Sequence, residues 1–226
     1  MEIEYKLYHF PLCPFSRKVR LIFAEKNVKF DLANENFWLN RKDFLKLNPK
    51  GEVPVLLDYR SDAIISDSNV IIHYLDEKHS FNKILRDSPE VNAEARRLSN
   101  WFDTKFFNEV IFYILHEKII KYYLNTGSPN IEKIRAAKNN ISYHLNYIDY
   151  LLHRNKWLAC NKITLADYTA AAHLSVLDYL GDVNWSKFPE VKNWYALIKS
   201  RPSFSDILSD NVMGFEPNEN YCNLDF

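Results

Sequence analysis

A chain of 226 residues fits one large domain or two small ones, and 47% hydrophobic residues, with 15% of the chain aromatic, allow a sizeable core. The 29 Lys and Arg balance the 29 Asp and Glu, which argues against nucleic acid or an anionic membrane as the main partner, since both need a basic excess, while leaving room for a local patch. Only four glycines are present, too few to favour a glycine-rich nucleotide loop or an all-β fold.

In chain order, residues 5–10 alternate as a short strand. A helix follows over 14–26, with Val19, Ile22 and Phe23 at helical spacing and Asn27 as its stop. Val28–Leu32 reads as a second strand, and Phe44–Leu47 as a short helix before the turn Asn48-Pro49-Lys50-Gly51. Val53–Leu57 and Ala63–Ile65 form a hairpin across a polar turn. Ser68–His79 is helical, so the order is β-α-β-α-β-β-α. The segment 80–87 is polar and reads as a linker.

Everything after it reads helical. Ser88-Pro89 is an N-cap with proline at the first helical position. Leu98, Phe102, Lys105/Phe106, Glu109/Val110 and Tyr113 trace one face, and residues 125–130 break the helix. Ile134, Ile141, Leu145, Ile148 and Leu152 trace a second long helix. Thr164 caps a third, with Asp167 reaching back and Ile163 placed to staple onto Tyr168. Pro189 opens a fourth, and 209–226 shows no regular period. The fold class is therefore mixed α/β plus all-α: a small α/β domain over 1–79, a linker over 80–87, a helical domain over 88–208 and an irregular tail over 209–226.

Three cysteines, Cys13, Cys160 and Cys222, include no CxxC pair and no cluster at metal spacing. This reads as a reducing compartment with neither a disulfide framework nor a metal. Met1-Glu2-Ile3-Glu4-Tyr5 lacks a signal pattern. No apolar run approaches the ~20 residues that span a bilayer. The expectation is a soluble cytoplasmic protein without a membrane segment.

The chemically pointed stretch is Cys13-Pro14-Phe15-Ser16-Arg17-Lys18. Proline at the first helical position puts Cys13 at the N-cap, facing free N–H groups and the positive end of the helix dipole. Both favour thiolate, so the spacing predicts a lowered thiol pKa. A single thiol cannot close an internal disulfide, and Ser16 is the alternative hydroxyl. The bland alternative is a small residue capping a helix poorly. Arg17, Lys18 and Arg20 add positive charge nearby, as tuning groups or as exposed local ion pairs.

This stretch, Asn48-Pro49-Lys50-Gly51-Glu52-Val53-Pro54-Val55, Ser66-Asp67-Ser68, Ile163-Thr164-Leu165-Ala166-Asp167 and Trp194 through Phe204 together resemble the glutathione S-transferase superfamily over nearly the whole chain. The resemblance implies a thioredoxin-like, glutathione-binding first domain, a helical second domain, a homodimer, and glutathione as substrate with no metal. It implies a cis bond before Pro54, with the backbone of Val53 pairing with glutathione. Asp67 is then assigned to the α-ammonium of glutathione and Ser68 to its γ-glutamyl carboxylate, with plain capping of the helix by Ser66 or Ser68 as the alternative. Lys50, Arg41 and Lys42 are candidate cations for the glycyl carboxylate.

Cys13-Pro14-Phe15 is similar to the motif of omega-like members, in which cysteine forms a mixed disulfide with glutathione. In serine-type members a hydroxyl holds the glutathione thiolate instead. Cys13 and Ser16 are the catalytic candidates. The implied reaction is glutathione conjugation to an apolar electrophile, or thiol transfer with a disulfide. The chain also resembles the FzlA-like proteins of alphaproteobacteria, which keep this fold, bind the division protein FtsZ and regulate constriction. That resemblance implies a non-catalytic scaffold, with the ending Asn220-Tyr221-Cys222-Asn223-Leu224-Asp225-Phe226 as a docking segment that orders on binding, a tail folded back on its own domain being the alternative, and Trp38 as an exposed anchor.

Overall fold

The computed structural model describes residues 3–85 and 88–224. Met1 and Glu2, the expected linker's Arg86 and Asp87, and the tail's Asp225 and Phe226 lie outside the described residues. The chain divides into two compact units. One comprises the residues up to Leu85 with Pro202–Glu216, the other Arg86–Arg201 with Pro217–Phe226.

The first unit runs β1 (Tyr5–His9), α1 (Pro14–Glu25), β2 (Asp31–Asn34), α2 (Lys42–Leu47), β3 (Val55–Asp58), β4 (Ala63–Ser66) and α3 (Ser68–Lys78), the order expected from the sequence. The sheet order is β2-β1-β3-β4. β1 is parallel to β2 and antiparallel to β3, which is antiparallel to β4. This is a thioredoxin-like arrangement. Tyr5, Leu7 and His9, two residues apart, point to one face and are buried there.

β2 starts three residues later than the apolar run Val28–Leu32 suggests. Asn27 takes φ 53° and the Val28 N–H returns to the Phe23 carbonyl at 3.0 Å. Val28 therefore closes α1 instead of opening a strand. Phe30 stacks on Phe23 with ring centroids 4.3 Å apart, and pairing with β1 begins at Asp31.

In the second unit, Pro89–Asn100, Trp101–Ile111, Phe112–Leu115, His116–Ile120 and Lys121–Leu124 run on as one helix, α4, whose second and fourth stretches are π-helical. The sequence explains the winding. Leu98, Phe102, Phe106, Val110 and Ile114 recur every four residues, and all are fully buried. At 3.6 residues per turn, each step of four drifts by about 40°. Four such steps would carry Ile114 to the opposite side. π turns, bonding i to i+5, unwind the helix and keep the stripe on one face. The same unwinding puts Ile114, not the expected Tyr113, in the core.

Asn125 ends α4 with φ 50°. α5 (Ile131–Leu152), α6 (Leu165–Tyr179) and α7 (Pro189–Lys199) follow. Every residue of α6 is buried. The Asp167 carboxylate organises its start. It accepts from the Thr164 N–H at 2.8 Å, the Thr164 hydroxyl at 2.9 Å, the Leu158 N–H at 2.9 Å and the Trp194 indole at 3.1 Å. Burial pushes the Asp167 pKa up, and these donors oppose it.

The chain then returns to the first unit through Pro202–Phe204 and the short α8 (Ser205–Leu208). Among the described residues, no helix is long and apolar enough to cross a membrane.

Asp167→Ala removes the reach-back half of a capping box and strands three buried N–H donors. It is expected to cost at least about 3 kcal/mol in urea unfolding followed by circular dichroism. A loss below about 1 kcal/mol would show that α6 does not depend on it.

Candidate active site

All seven residues singled out from the sequence lie in the first unit. Cys13 is the N-cap of α1 with Pro14 at the first helical position, as the sequence predicts. The Val53–Pro54 bond is cis. Cys13 and Val53 are brought together: the thiol donates to the Val53 carbonyl with sulfur and oxygen 3.6 Å apart.

The expected thiolate is not what this environment favours. Cys13 is 6% exposed, and burial pushes its pKa up. The Ser16 hydroxyl and the N–H groups of Ser16 and Phe15 favour the anion, while Glu52 opposes it. Burial can move a pKa by three to five units, whereas a helix terminus contributes about 1 kcal/mol, under one unit. The thiol therefore keeps its proton. Ser16 is fully buried, and its oxygen has no hydrogen-bond partner among the described residues. Its hydroxyl acts on the sulfur through its dipole, without hydrogen-bond geometry.

Asp67, not a serine, caps α3. Its backbone takes φ 75° and its carboxylate accepts from the N–H groups of Asn69 and Val70. Ser68 is the first residue of α3 and 4% exposed. Lys50 is on the surface and pairs with Glu52 at 2.7 Å. Arg41 is bound through two nitrogens to the buried carboxylate of Glu35.

The basic run after Cys13 is buried, not a set of exposed pairs. Arg17 donates from Nε to the Pro11 carbonyl at 2.6 Å and from Nη2 to Asp210 at 3.3 Å. Arg20 donates to Asp210 at 2.8 Å and to the Asp206 carbonyl at 2.9 Å. Lys18 donates to Asn69 of α3 at 2.9 Å. Trp38 is half-buried, edge-on to Phe10 with centroids 5.0 Å apart, so it packs against its own unit.

His9 escaped the sequence reading. It ends β1, where an alternating strand gives no hint of chemistry. It is 5% exposed. Burial first, then Arg20 and Arg17, hold its pKa down at about 3, so it is neutral near pH 7. Among the described residues no group of three or more His, Cys, Asp or Glu is arranged to hold a metal.

A thioredoxin-like unit with a thiol at the N-cap of α1 beside a cis-proline strand, together with a helical unit, defines the class. Residues 7–83 match the family model described as glutathione S-transferase, N-terminal domain, and 115–209 the C-terminal domain. The chain belongs to the glutathione S-transferase superfamily. It is 42% identical, over all of both chains, to the FtsZ-localized protein A of Caulobacter vibrioides. The structure of FzlA from C. crescentus superposes with a TM-score of 0.96 at 42% identity, covering 99% of this chain and all of that one. A glutathione S-transferase from Rhodospirillum rubrum superposes with a TM-score of 0.93 at 42% identity, covering 98% and 100%.

The raised Cys13 pKa gives a direct test. Exposed Cys222 is expected to react first with iodoacetamide. Cys13 is expected to react slowly at neutral pH and to accelerate only above the usual thiol range of about 8.5. The folded thiol holds its proton more tightly than the unfolded one, so stability is lost as pH rises past that range. Residue-resolved mass spectrometry against pH reads both rates. Fast labelling of Cys13 at neutral pH would contradict the assignment.

Proposed function

We propose that the protein binds glutathione on its first unit and catalyses conjugation of its sulfur to an apolar electrophile. The observation that carries this reading is the buried, protonated thiol of Cys13, which donates to the Val53 carbonyl beside the unpartnered hydroxyl of Ser16. A thiol held protonated is a poor nucleophile but a usable donor. On glutathione binding, Cys13 and Ser16 would turn their hydrogens toward the incoming sulfur and stabilise it as the thiolate. The glutathione thiol proton passes to solvent, and the new bond joins its sulfur to the electrophilic carbon as the bond from that carbon to its leaving group breaks and the leaving group departs to solvent with the electron pair. This environment favours conjugation over thiol transfer, which needs Cys13 itself as the attacking anion.

The remaining roles follow the same proposal. Val53 and Pro54 present backbone to the tripeptide as an added strand. Ser68 and the N-terminus of α3 receive the γ-glutamyl carboxylate, and Asp67 the α-ammonium. Lys50 would exchange Glu52 for the glycyl carboxylate. The sparse cysteines support a reducing cytoplasm, and membership of the superfamily supports a homodimer.

A second reading is favoured by a specific observation, the end-to-end 42% identity to a protein called FtsZ-localized. In it the fold is a non-catalytic scaffold for FtsZ, with the ending from Asn220 to Phe226 as its docking segment; Tyr221 within it is already buried against Tyr179 and the Asn220 carbonyl accepts from Lys199, so this segment is anchored on its own unit.

Titration calorimetry with glutathione separates the two. Under the first reading it gives a saturable heat with an affinity in the micromolar to low-millimolar range. Ser68→Ala should weaken binding by about tenfold, and Cys13→Ala should lower turnover more than binding. No heat at millimolar glutathione, with co-sedimentation on FtsZ filaments that is lost on removing residues 222–226 while the buried Tyr221 is kept, would replace the first reading by the second.

A further inference from the structure

The turn from α4 to α5 carries a charge arrangement that neither reading uses. Two carboxylates beside it are buried, Glu117 of α4 and Asp182 just beyond α6, and each is shared by two lysines. Lys118 and Lys138 lie 2.7 and 2.8 Å from the two oxygens of Asp182. Lys121 lies 2.5 Å from Glu117 and Lys133 lies 3.7 Å from its other oxygen. The Glu117 and Asp182 side chains are 0% and 1% exposed, whereas those of Lys133 and Lys138 are 53% and 47% exposed. The negative charge is inside and the positive charge outside, four ammonium groups against two carboxylates. On a chain with no net charge, this is a local basic surface. Glu132 and Arg135, both exposed beside it on α5, offset each other.

The same turn exposes apolar side chains. Tyr122 is 60% exposed, Leu124 39% and Ile131 63%. Leu124 is the last residue of α4 and Ile131 the first of α5. The Asn130 N–H donates to Glu117 at 2.9 Å, which pins the start of α5 beside α4. Lysines next to exposed aromatic and aliphatic groups match a partner carrying carboxylates and apolar side chains together.

We propose that the α4–α5 turn docks an acidic segment of a partner protein, its carboxylates meeting Lys133 and Lys138 and its apolar side chains covering Ile131 and Tyr122. A protein segment fits better than an anionic bilayer. Glu117 and Asp182 hold the ammonium groups in two pairs at fixed places, which suits discrete carboxylates. Stable membrane attachment asks for a longer apolar face or a second anchor.

Fluorescence anisotropy of the full chain with a fluorescein-labelled peptide of alternating glutamate and leucine tests this. Saturable binding that weakens steeply with salt is expected. Lys133→Ala with Lys138→Ala should weaken it about tenfold, from up to about 1 kcal/mol per exposed contact. Ile131→Ser should weaken it as well, and Lys46→Ala, exposed in the other unit, should leave it unchanged. No binding overturns the proposal, as does equal binding by the double lysine variant. Retention on phosphatidylserine-containing vesicles without peptide binding would assign the surface to a bilayer instead.

Discussion

A guanidinium removed from water must be met by acceptors, and the first unit is arranged around meeting those of Arg17. The side chain has no exposure. It reaches the Pro11 carbonyl on one side and Asp210 on the other. Arg20, one turn on, closes on the same carboxylate. The turn from β1 into α1 is thereby fixed at Pro11, two residues before the sulfur. Asp210 belongs to the stretch that returns to this unit after α7, so a residue late in the chain helps to position one near its start. Leaving either charge buried without the other would cost about 3–5 kcal/mol, more than any surface pair in the molecule contributes.

The same burial decides the sulfur chemistry. At an open helix N-terminus the dipole and free N–H groups would win and Cys13 would ionise easily. Here the cap is sealed, and desolvation outweighs them. The positive charges that would have lowered the thiol pKa are spent on Asp210, Asn69 and the carbonyls of Pro11 and Asp206. What remains is a protonated thiol on the Val53 carbonyl and a buried hydroxyl beside it. That pair suits holding another molecule's sulfur better than attacking with its own.

The parts of this that were legible in the sequence are those written in local rules. Pro14 and Asn27 bracket α1, Asn125 to Asn130 break α4 from α5, and the Thr164–Asp167 spacing marks the start of α6. The cis bond before Pro54 and the assignment to the superfamily came from matching motifs, not from periodicity. What stayed hidden depends on contacts distant in sequence. Nothing near Arg17 announces Asp210, and an exposed ion pair is the commoner fate of such a run. β2 was displaced because the cap of α1 took Val28. The π turns of α4 were visible in principle, since five apolar residues spaced by four cannot share one face of an α-helix. His9 has no local signal, and the thiol pKa is not legible in a cap motif because burial sets it.

The proposed chemistry requires glutathione across the junction of β1 and α1, with its sulfur received by Cys13 and Ser16. A crystal structure of the protein with glutathione tests this most directly. The account predicts density running along Val53 to Ser68, with the ligand sulfur within hydrogen-bonding reach of Cys13 Sγ and Ser16 Oγ and no covalent bond to Cys13. Glutathione bound elsewhere, or a junction still closed by the Cys13–Val53 contact at saturating ligand, would contradict it.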